Sequence, residues 1–313
     1  MKKIGVITID QRSDVQYFCD VIVKKFEGEN VDVWFESEPS YNLTGTDLIV
    51  VLGGDGTMLR AFHKFGEMEI PFLGINFGNI GFLSTIEPYD FSEYFSLILN
   101  EKYRIEERGI TQVSIIREDQ NEVFYGYAFN DVVIKSILPK ISRQLLYIDG
   151  NLFSKYEGDG IICATSMGST AYSLSAGGPI VDPRLDVIVI TPICSRANLM
   201  NSMVISTEHK IEILCTDLYP CSIFTVDGGE QINLFNNDVV GIQKAGLKVK
   251  LVQFNQDRYF KLLQSKLSGA GNRIKEESTD QSLLSMRKKY GRLLGSIPRD
   301  TAHIRFDEHI KGR

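Results

Sequence analysis

The sequence predicts a two-part protein: an N-terminal α/β domain built on a parallel sheet, then a C-terminal β-rich domain. Three observations carry that reading. Apolar runs alternate with helix-like stretches over the first hundred residues, the pattern of a parallel sheet covered on both faces. From about residue 104 the text changes to short Val-, Ile-, Tyr- and Phe-rich runs with turn signals at short intervals, as in an all-β domain. Two glycine-rich turns each follow a buried strand, one in each part.

In order, Lys3–Ile9 reads as a strand, Arg12–Phe26 as a helix, Val31–Phe35 and Asp47–Leu52 as strands. Thr57–Phe65 has helical spacing, Ile70–Ile75 is strand-like and Phe91–Leu99 helical. The basic start before an apolar run resembles a leader, but the run stops at Asp10 and Arg12, so a first buried strand is expected. The second part offers strands at Val113–Arg117, Val123–Phe129, Val132–Lys135, Gln144–Ile148, Gly160–Ala164, Val187–Thr191, Lys210–Leu214, Ser222–Val226 and Leu247–Gln253. A short helix is expected after Gly168, and an amphipathic one at Asp257–Leu267 that returns to the first domain. The expected division is therefore 1–103, 104–255, 256–267, and a polar linker with a basic tail over 268–313. Within that tail 281–294 has amphipathic spacing, and disorder or loose docking is the expectation.

Composition narrows the function classes. Hydrophobic residues make up 43% and charged residues 24%, values of a water-soluble globular chain, and no apolar run is long enough for a membrane span. A cytosolic location is expected. Five scattered cysteines without a CxxC pair and four histidines without metal-ligand spacing point away from disulfides and structural zinc. A formal net charge of −6 disfavours broad nucleic-acid binding. It leaves room for a phosphate-bearing ligand held by backbone amides and a divalent cation.

Gly53-Gly54-Asp55-Gly56-Thr57 lies at the end of a continuously apolar strand and opens a helix. Glycines let a ligand approach the backbone, and a helix start offers free N–H groups and a positive dipole end, which suit phosphate. Asp55 would repel phosphate unless it binds a metal or accepts a proton from an attacking hydroxyl. The competing reading is that Asp55 or Thr57 only caps the helix. There is no Walker-type loop and no dinucleotide Gly-x-Gly-x-x-Gly at a first strand. A second cluster, Gly74-Ile75-Asn76-Phe77-Gly78-Asn79-Ile80-Gly81-Phe82, is read as a loop whose glycines allow tight packing.

The run Gly158 to Pro179 is dense in small and hydroxyl residues, more than one helix cap requires, and so reads as a ligand site. Thr170 and Ser175 offer hydrogen bonds to a sugar or base, Ala171 allows a ring to come close, and Tyr172 offers an aromatic wall. Upstream, Asn130 presents donor and acceptor faces and Asp131 can accept from ribose hydroxyls, although the pair alone reads first as a turn or a bulge.

Taken together, the glycine turn at 53–57, Asn130-Asp131 and Gly168-Ser169-Thr170-Ala171-Tyr172-Ser173-Leu174-Ser175-Ala176-Gly177-Gly178-Pro179 resemble the NAD kinase family over roughly residues 3 to 267. The first motif is shared with diacylglycerol-kinase-like lipid kinases and phosphofructokinase-like enzymes, and the Gly-Ser-Thr-Ala-Tyr run is the specific one. The resemblance implies an N-terminal α/β domain and a C-terminal β-rich domain with the active site in the cleft between them. The reaction it implies is transfer of the terminal phosphoryl group of ATP, or of polyphosphate, to the 2′-hydroxyl of the adenosine ribose of NAD, with Mg²⁺ or another divalent cation. It implies Asp55 as the catalytic carboxylate and Phe82, Asn130, Asp131, Asp159, Thr170, Ala171, Tyr172 and Ser175 at NAD. Gly53, Gly54, Gly56 and Thr57 would hold the phosphate donor. It also implies a homodimer or homotetramer in which a neighbouring chain completes part of the site.

The chain departs from the family pattern in places. Asp131 stands where Glu is usual, keeping the charge on a shorter arm. Met167 replaces a hydroxyl residue and is expected beside the adenine. Ser195-Arg196-Ala197-Asn198 lacks the usual proline. Two other readings share some of these residues: a kinase for a lipid or sugar, and a dinucleotide sensor without turnover.

Overall fold

The computed structural model describes residues 1–9, 12–38, 40–78, 81–117, 123–138, 140–196, 201–216, 222–254 and 258–267. The first part comprises β1 (Lys3–Thr8), α1 (Ser13–Glu27), β2 (Asp32–Phe35), β3 (Leu48–Gly53), α2 (Asp55–Phe65), β4 (Phe72–Asn76) and α3 (Phe91–Leu99). Its four strands are parallel in the order β2-β1-β3-β4. Every residue of β3 is buried, because helices cover both faces of the sheet. Val15, Cys19, Ile22 and Phe26 of α1 meet Ile4, Val6, Leu48 and Val50 on one face. On the other, Met58, Ala61, Phe62 and Phe65 of α2 meet Ile49, Val51 and Phe72.

The second part runs through β5 (Arg104–Ile116), β6 (Val123–Ala128), β7 (Asp131–Ser136), β8 (Ser142–Ile148), β9 (Asn151–Gly158) and β10 (Gly160–Thr165). It continues with the single turn α4 (Tyr172–Ser175), β11 (Val187–Ile193), β12 (Met203–Ser206), β13 (Ile211–Cys215), β14 (Ser222–Val226), β15 (Ile232–Leu234) and β16 (Val239–Gln253). One antiparallel sheet has the order β12-β11-β10-β7-β14-β15. It stacks on β5, β6, β8, β13 and β16 of the other sheet through inward residues such as Val113, Ile134, Leu146, Ile161, Ile190, Ile213, Phe224 and Ile242.

The two-part architecture matches the expectation, with one feature the sequence did not announce. The sheet runs without a break through residue 104: β16 pairs antiparallel with β5 from Val239↔Ile116 to Gln253↔Arg104 and parallel with β4 at Leu251↔Phe72. Residues Met1–Phe254 accordingly form one compact unit. β5 and β16 are far longer than the runs 113–117 and 247–253, because a shared ladder rather than apolar spacing sets their length. The strands β9, β12 and β15 were not anticipated. For β9 a signal was present: Asp149-Gly150 lies between Ile148 and Asn151, and both residues have positive φ, as a two-residue hairpin of type I′ requires.

The helix expected at 257–267 forms as α5 (Arg258–Leu267), which belongs to a separate unit. The linker and tail readings for 268–313 lie outside the described residues. No helix among the described residues is long and apolar enough to cross a membrane.

Phe62 joins the two parts, since its ring meets Phe72 at 4.9 Å and Phe129 at 5.5 Å between centroids. Phe62→Ala is expected to destabilise by about 3–5 kcal/mol, read from the urea midpoint at unchanged m-value.

Candidate active site

The strand β3 ends at Gly53 and α2 begins at Asp55, so the predicted strand–turn–helix is present. The capping reading of Asp55 does not hold: no side chain caps the start of α2. Its carboxylate reaches across the turn instead, Oδ2 accepting from the Phe82 N–H at 2.9 Å and Oδ1 from the Leu83 N–H at 3.0 Å. That contact depends on Gly81, where an added Cβ would lie 1.9 Å from Asp55 Oδ1. The second glycine cluster therefore does more than pack. Gly74 fits the packing reading, its Cβ position lying 2.7 Å from Ser84 Cα, but Gly81 receives the carboxylate.

The glycines of the turn divide by cause. Gly53 makes room for the buried Thr57, whose Oγ1 would lie 2.2 Å from an added Cβ. Gly54 and Gly56 have open space at that position, and neither has a positive φ. Neither packing nor backbone geometry calls for glycine there, which leaves close approach of a ligand.

In the second part a cavity of about 370 Å³ is lined by Asn130, Asp131, Val133, Lys135, Ala171, Tyr172 and, from β14 and its turn, Thr225, Asp227, Gly228 and Gln231. Four residues predicted from sequence thus share one cavity: Asn130, Asp131, Ala171 and Tyr172. Thr170 directly precedes them in a short turn of helix, its hydroxyl 3.4 Å from the Met167 carbonyl. Ser175 and Asp159 are exposed and do not line the cavity. Phe82, Asp55 and the glycine turn also lie outside its lining. Met167 does not face the cavity as expected. It is buried in the apolar cluster of Phe62, Phe65 and Phe129, so its missing hydroxyl changes the core contact beside α2 and not the cavity wall.

Residues not found from sequence hold this cavity in shape. Asp227 Oδ1 accepts from the Asn130 N–H at 2.7 Å and the Asp131 N–H at 2.9 Å. Its Oδ2 accepts from the Phe129 N–H at 2.9 Å and lies 2.8 Å from Nε2 of His63 on α2. Thr165 holds the same loop from the other side: its hydroxyl donates to the Phe129 carbonyl at 2.7 Å and its N–H to the Asn130 carbonyl at 2.8 Å. Gly168 comes so near Asn130 that an added Cβ would lie 2.0 Å from the Asn130 carbonyl oxygen. A signal for Asp227 existed in Asp227-Gly228, both at positive φ in the turn between β14 and β15.

Burial pushes the Asp131 carboxyl up to about 7, helped by repulsion from Asp227 and opposed by a hydrogen bond from the Tyr172 backbone. Lys135 Nζ stands 5.9 Å over the Tyr172 ring. No group of three or more His, Cys, Asp or Glu among the described residues is placed to hold a metal ion.

A carboxylate-bearing glycine turn at the carboxyl edge of a parallel sheet, in a chain that also carries a small-molecule cavity, is an arrangement suited to a phosphotransferase. Comparison with known proteins gives the family. The model of the ATP-NAD kinase N-terminal domain matches residues 19–103 and that of the ATP-NAD kinase C-terminal domain residues 129–254. The NAD kinase of Natranaerobius thermophilus is 34% identical over 86% of this chain and 99% of its own length. That of Ruminiclostridium cellulolyticum is 36% identical over 85% and 98%. Among solved structures, an NAD kinase from Archaeoglobus fulgidus in complex with ATP is 28% identical, with a TM-score of 0.68 over 84% of this chain and 98% of that one. Yeast NADH kinase complexed with NADH is 24% identical with a TM-score of 0.78 over 85% and 88%, a likeness of fold. The chain belongs to the NAD kinase family.

Two outcomes are expected. Gly81→Ala displaces the Asp55 carboxylate, so turnover should fall at least about tenfold while circular dichroism stays that of the parent. For Asp131 the folded value lies above the ordinary one, so the proton it holds contributes stability that is fully present below about pH 4 and lost as pH rises through about 7. With Asp131 as the expected acceptor for ribose hydroxyls, its ionised form is the better one, and the KM for NAD should fall as pH rises from 6 to 8. Asp131→Asn should flatten that profile.

Proposed function

We propose that the protein transfers the terminal phosphoryl group of ATP to the 2′-hydroxyl of the adenosine ribose of NAD, giving NADP. The observation that carries this is the Asp55 carboxylate, held beside the start of α2 by two backbone N–H groups and flanked by two glycines with open space. The donor phosphates lie against the N–H groups of Gly54 and Gly56, where the helix start favours negative charge, while the Thr57 N–H is taken by the Gly54 carbonyl at 3.0 Å. Asn130, Asp131, Ala171 and Tyr172 hold the adenosine end of NAD, Asp131 taking the ribose hydroxyls and Tyr172 covering the base. Phe82, Thr170, Ser175 and Asp159 stand outside the cavity lining, and their proposed contacts to NAD rest on the sequence motifs.

In the transfer the 2′-hydroxyl gives its proton to the Asp55 carboxylate as its oxygen bonds to the γ-phosphorus. The bond from that phosphorus to the β,γ-bridging oxygen breaks, and ADP leaves with those electrons. Both Asp55 oxygens have lone pairs free for this beyond the two they use on Phe82 and Leu83.

A divalent cation fits the chemistry of the turn, whose side-chain donors are oxygens. Asp55 is one, and the buried Asn76 Oδ1, on the strand beside Gly53, has no hydrogen-bond partner among the described residues. With too few carboxylates for a protein cage, Mg²⁺ would be held by Asp55 together with donor phosphates, whose charge it neutralises. ATP is favoured over polyphosphate because the related archaeal kinase was solved with ATP. Assembly as a homodimer or homotetramer in the cytosol accords with the exposed Leu152 and Phe153 on the edge strand β9.

The test is NADP formation by the purified protein, with NAD or NADH crossed against ATP or polyphosphate in the presence of Mg²⁺. Product is expected with NAD and ATP, and excess chelator should abolish it. Asp55→Asn should keep NAD binding by calorimetry and lose at least about two orders of magnitude in kcat. No product in any combination from a folded protein that still binds NAD would replace this reading with a dinucleotide sensor. Phosphorylation of a lipid or sugar in place of NAD would replace it with another kinase.

A further inference from the structure

His63 lies on α2 eight residues after Asp55, so one rigid helix carries both, about 12 Å apart along its axis. At its start the helix is fastened through Asp55 to the backbone of Phe82 and Leu83. Two turns on it is fastened through His63 Nε2 to Asp227 Oδ2 at 2.8 Å. Asp227 is 1% exposed in its side chain and carries the N–H groups of Phe129, Asn130 and Asp131 on the same two oxygens. The His63 ring also stands edge-on to Phe129, centroids 4.8 Å apart at 84°. Oδ2 is thus shared between the loop and α2, and where it sits is decided by both.

We infer that His63 is a positioning residue for the acceptor: it fixes the Asp227 carboxylate relative to α2, and so places Asn130 and Asp131 against NAD in register with the donor turn. The imidazole is not part of the cavity lining and reaches the loop through Asp227 and the Phe129 ring. Its edge contact with Phe129 is the only ring packing it makes among the described residues, the side chain is 39% exposed, and that contact does not require a ring nitrogen facing Asp227. Asp227 keeps three backbone donors without His63, so losing His63 leaves the loop folded but free to shift by the slack in one hydrogen bond. Misplacement of that order affects binding and alignment of the substrate that the loop holds, and leaves the other substrate's site in place.

The inference rests on the assignment of Asn130 and Asp131 to NAD, and the experiment separates the two. The full-length protein is assayed as His63→Leu, His63→Gln and Asn130→Ala, with KM for NAD and for ATP, kcat, and melting temperature. His63→Leu should raise the KM for NAD about tenfold, the worth of one hydrogen bond to a buried charge, and change the KM for ATP less than about twofold. His63→Gln, whose amide nitrogen reaches to the place of Nε2, should return the KM for NAD to within about threefold of the parent. His63→Asn, one bond shorter, should behave as Leu does and serves if Leu does not fold. An unchanged KM for NAD in His63→Leu, with Asn130→Ala raising it, removes the inference and leaves the site assignment. Equal losses for both substrates with a lowered melting temperature and no rescue by Gln mark a structural residue and overturn it. If Asn130→Ala also leaves NAD binding unchanged, the site assignment itself falls.

Discussion

The ladder between β5 and β16 is the constraint on which the rest of the molecule depends. β16 pairs with β5 from Gln253 back to Val239, and near the same end it lies beside β4 of the parallel sheet. One strand therefore belongs to the α/β layer and to the β-sandwich, and the bulge between Lys244 and Lys248 lets the ribbon bend from one to the other. Because backbone hydrogen bonds fix register to the residue, the carboxyl edge of β3 and β4 and the amino end of β7 cannot drift apart without breaking this ladder.

On that frame the functional loops are held by polar contacts rather than by packing alone. Asp55 is received by the N–H groups of Phe82 and Leu83, and the 129–131 loop lies between Asp227 and Thr165. Each contact satisfies backbone groups that would otherwise be costly in a partly buried loop. The repulsion of Asp131 by Asp227 is the counterpart of this arrangement: a carboxylate buried to hold a backbone raises the proton affinity of its neighbour. The chain belongs to the NAD kinase family, whose models match 19–103 and 129–254, and in it the glycine turn and the 129–131 loop are fastened to the same helix.

Much of the fold was legible. Strands buried on both faces are apolar throughout, as Leu48 to Leu52 and Ile161 to Ala164 are, and helices with one buried face repeat at 3.6, so both parts and most of their elements could be placed from spacing. What spacing missed had little apolar content to show. The first residues of β5, Arg104-Ile105-Glu106-Glu107, are strand because β16 lies beside them, and β9, with Asn151, Leu152 and Phe153 all exposed, is strand because the Asp149-Gly150 turn returns it onto β8.

The division in the candidate site has the same cause. The sequence by itself determined the local chemistry: a glycine turn with one carboxylate, the Asn130-Asp131 pair, and the Gly-Ser-Thr-Ala-Tyr run, because each is contiguous and its residue types state what they can do. The tertiary structure alone decided that Asp55 is received at Gly81, that Met167 points into the core, and that His63 and Asp227, 164 residues apart, meet at 2.8 Å over the 129–131 loop. Such contacts pair ordinary residues whose meaning comes from strand pairing and helix placement. No spacing along the chain encodes which distant backbone N–H a carboxylate will find.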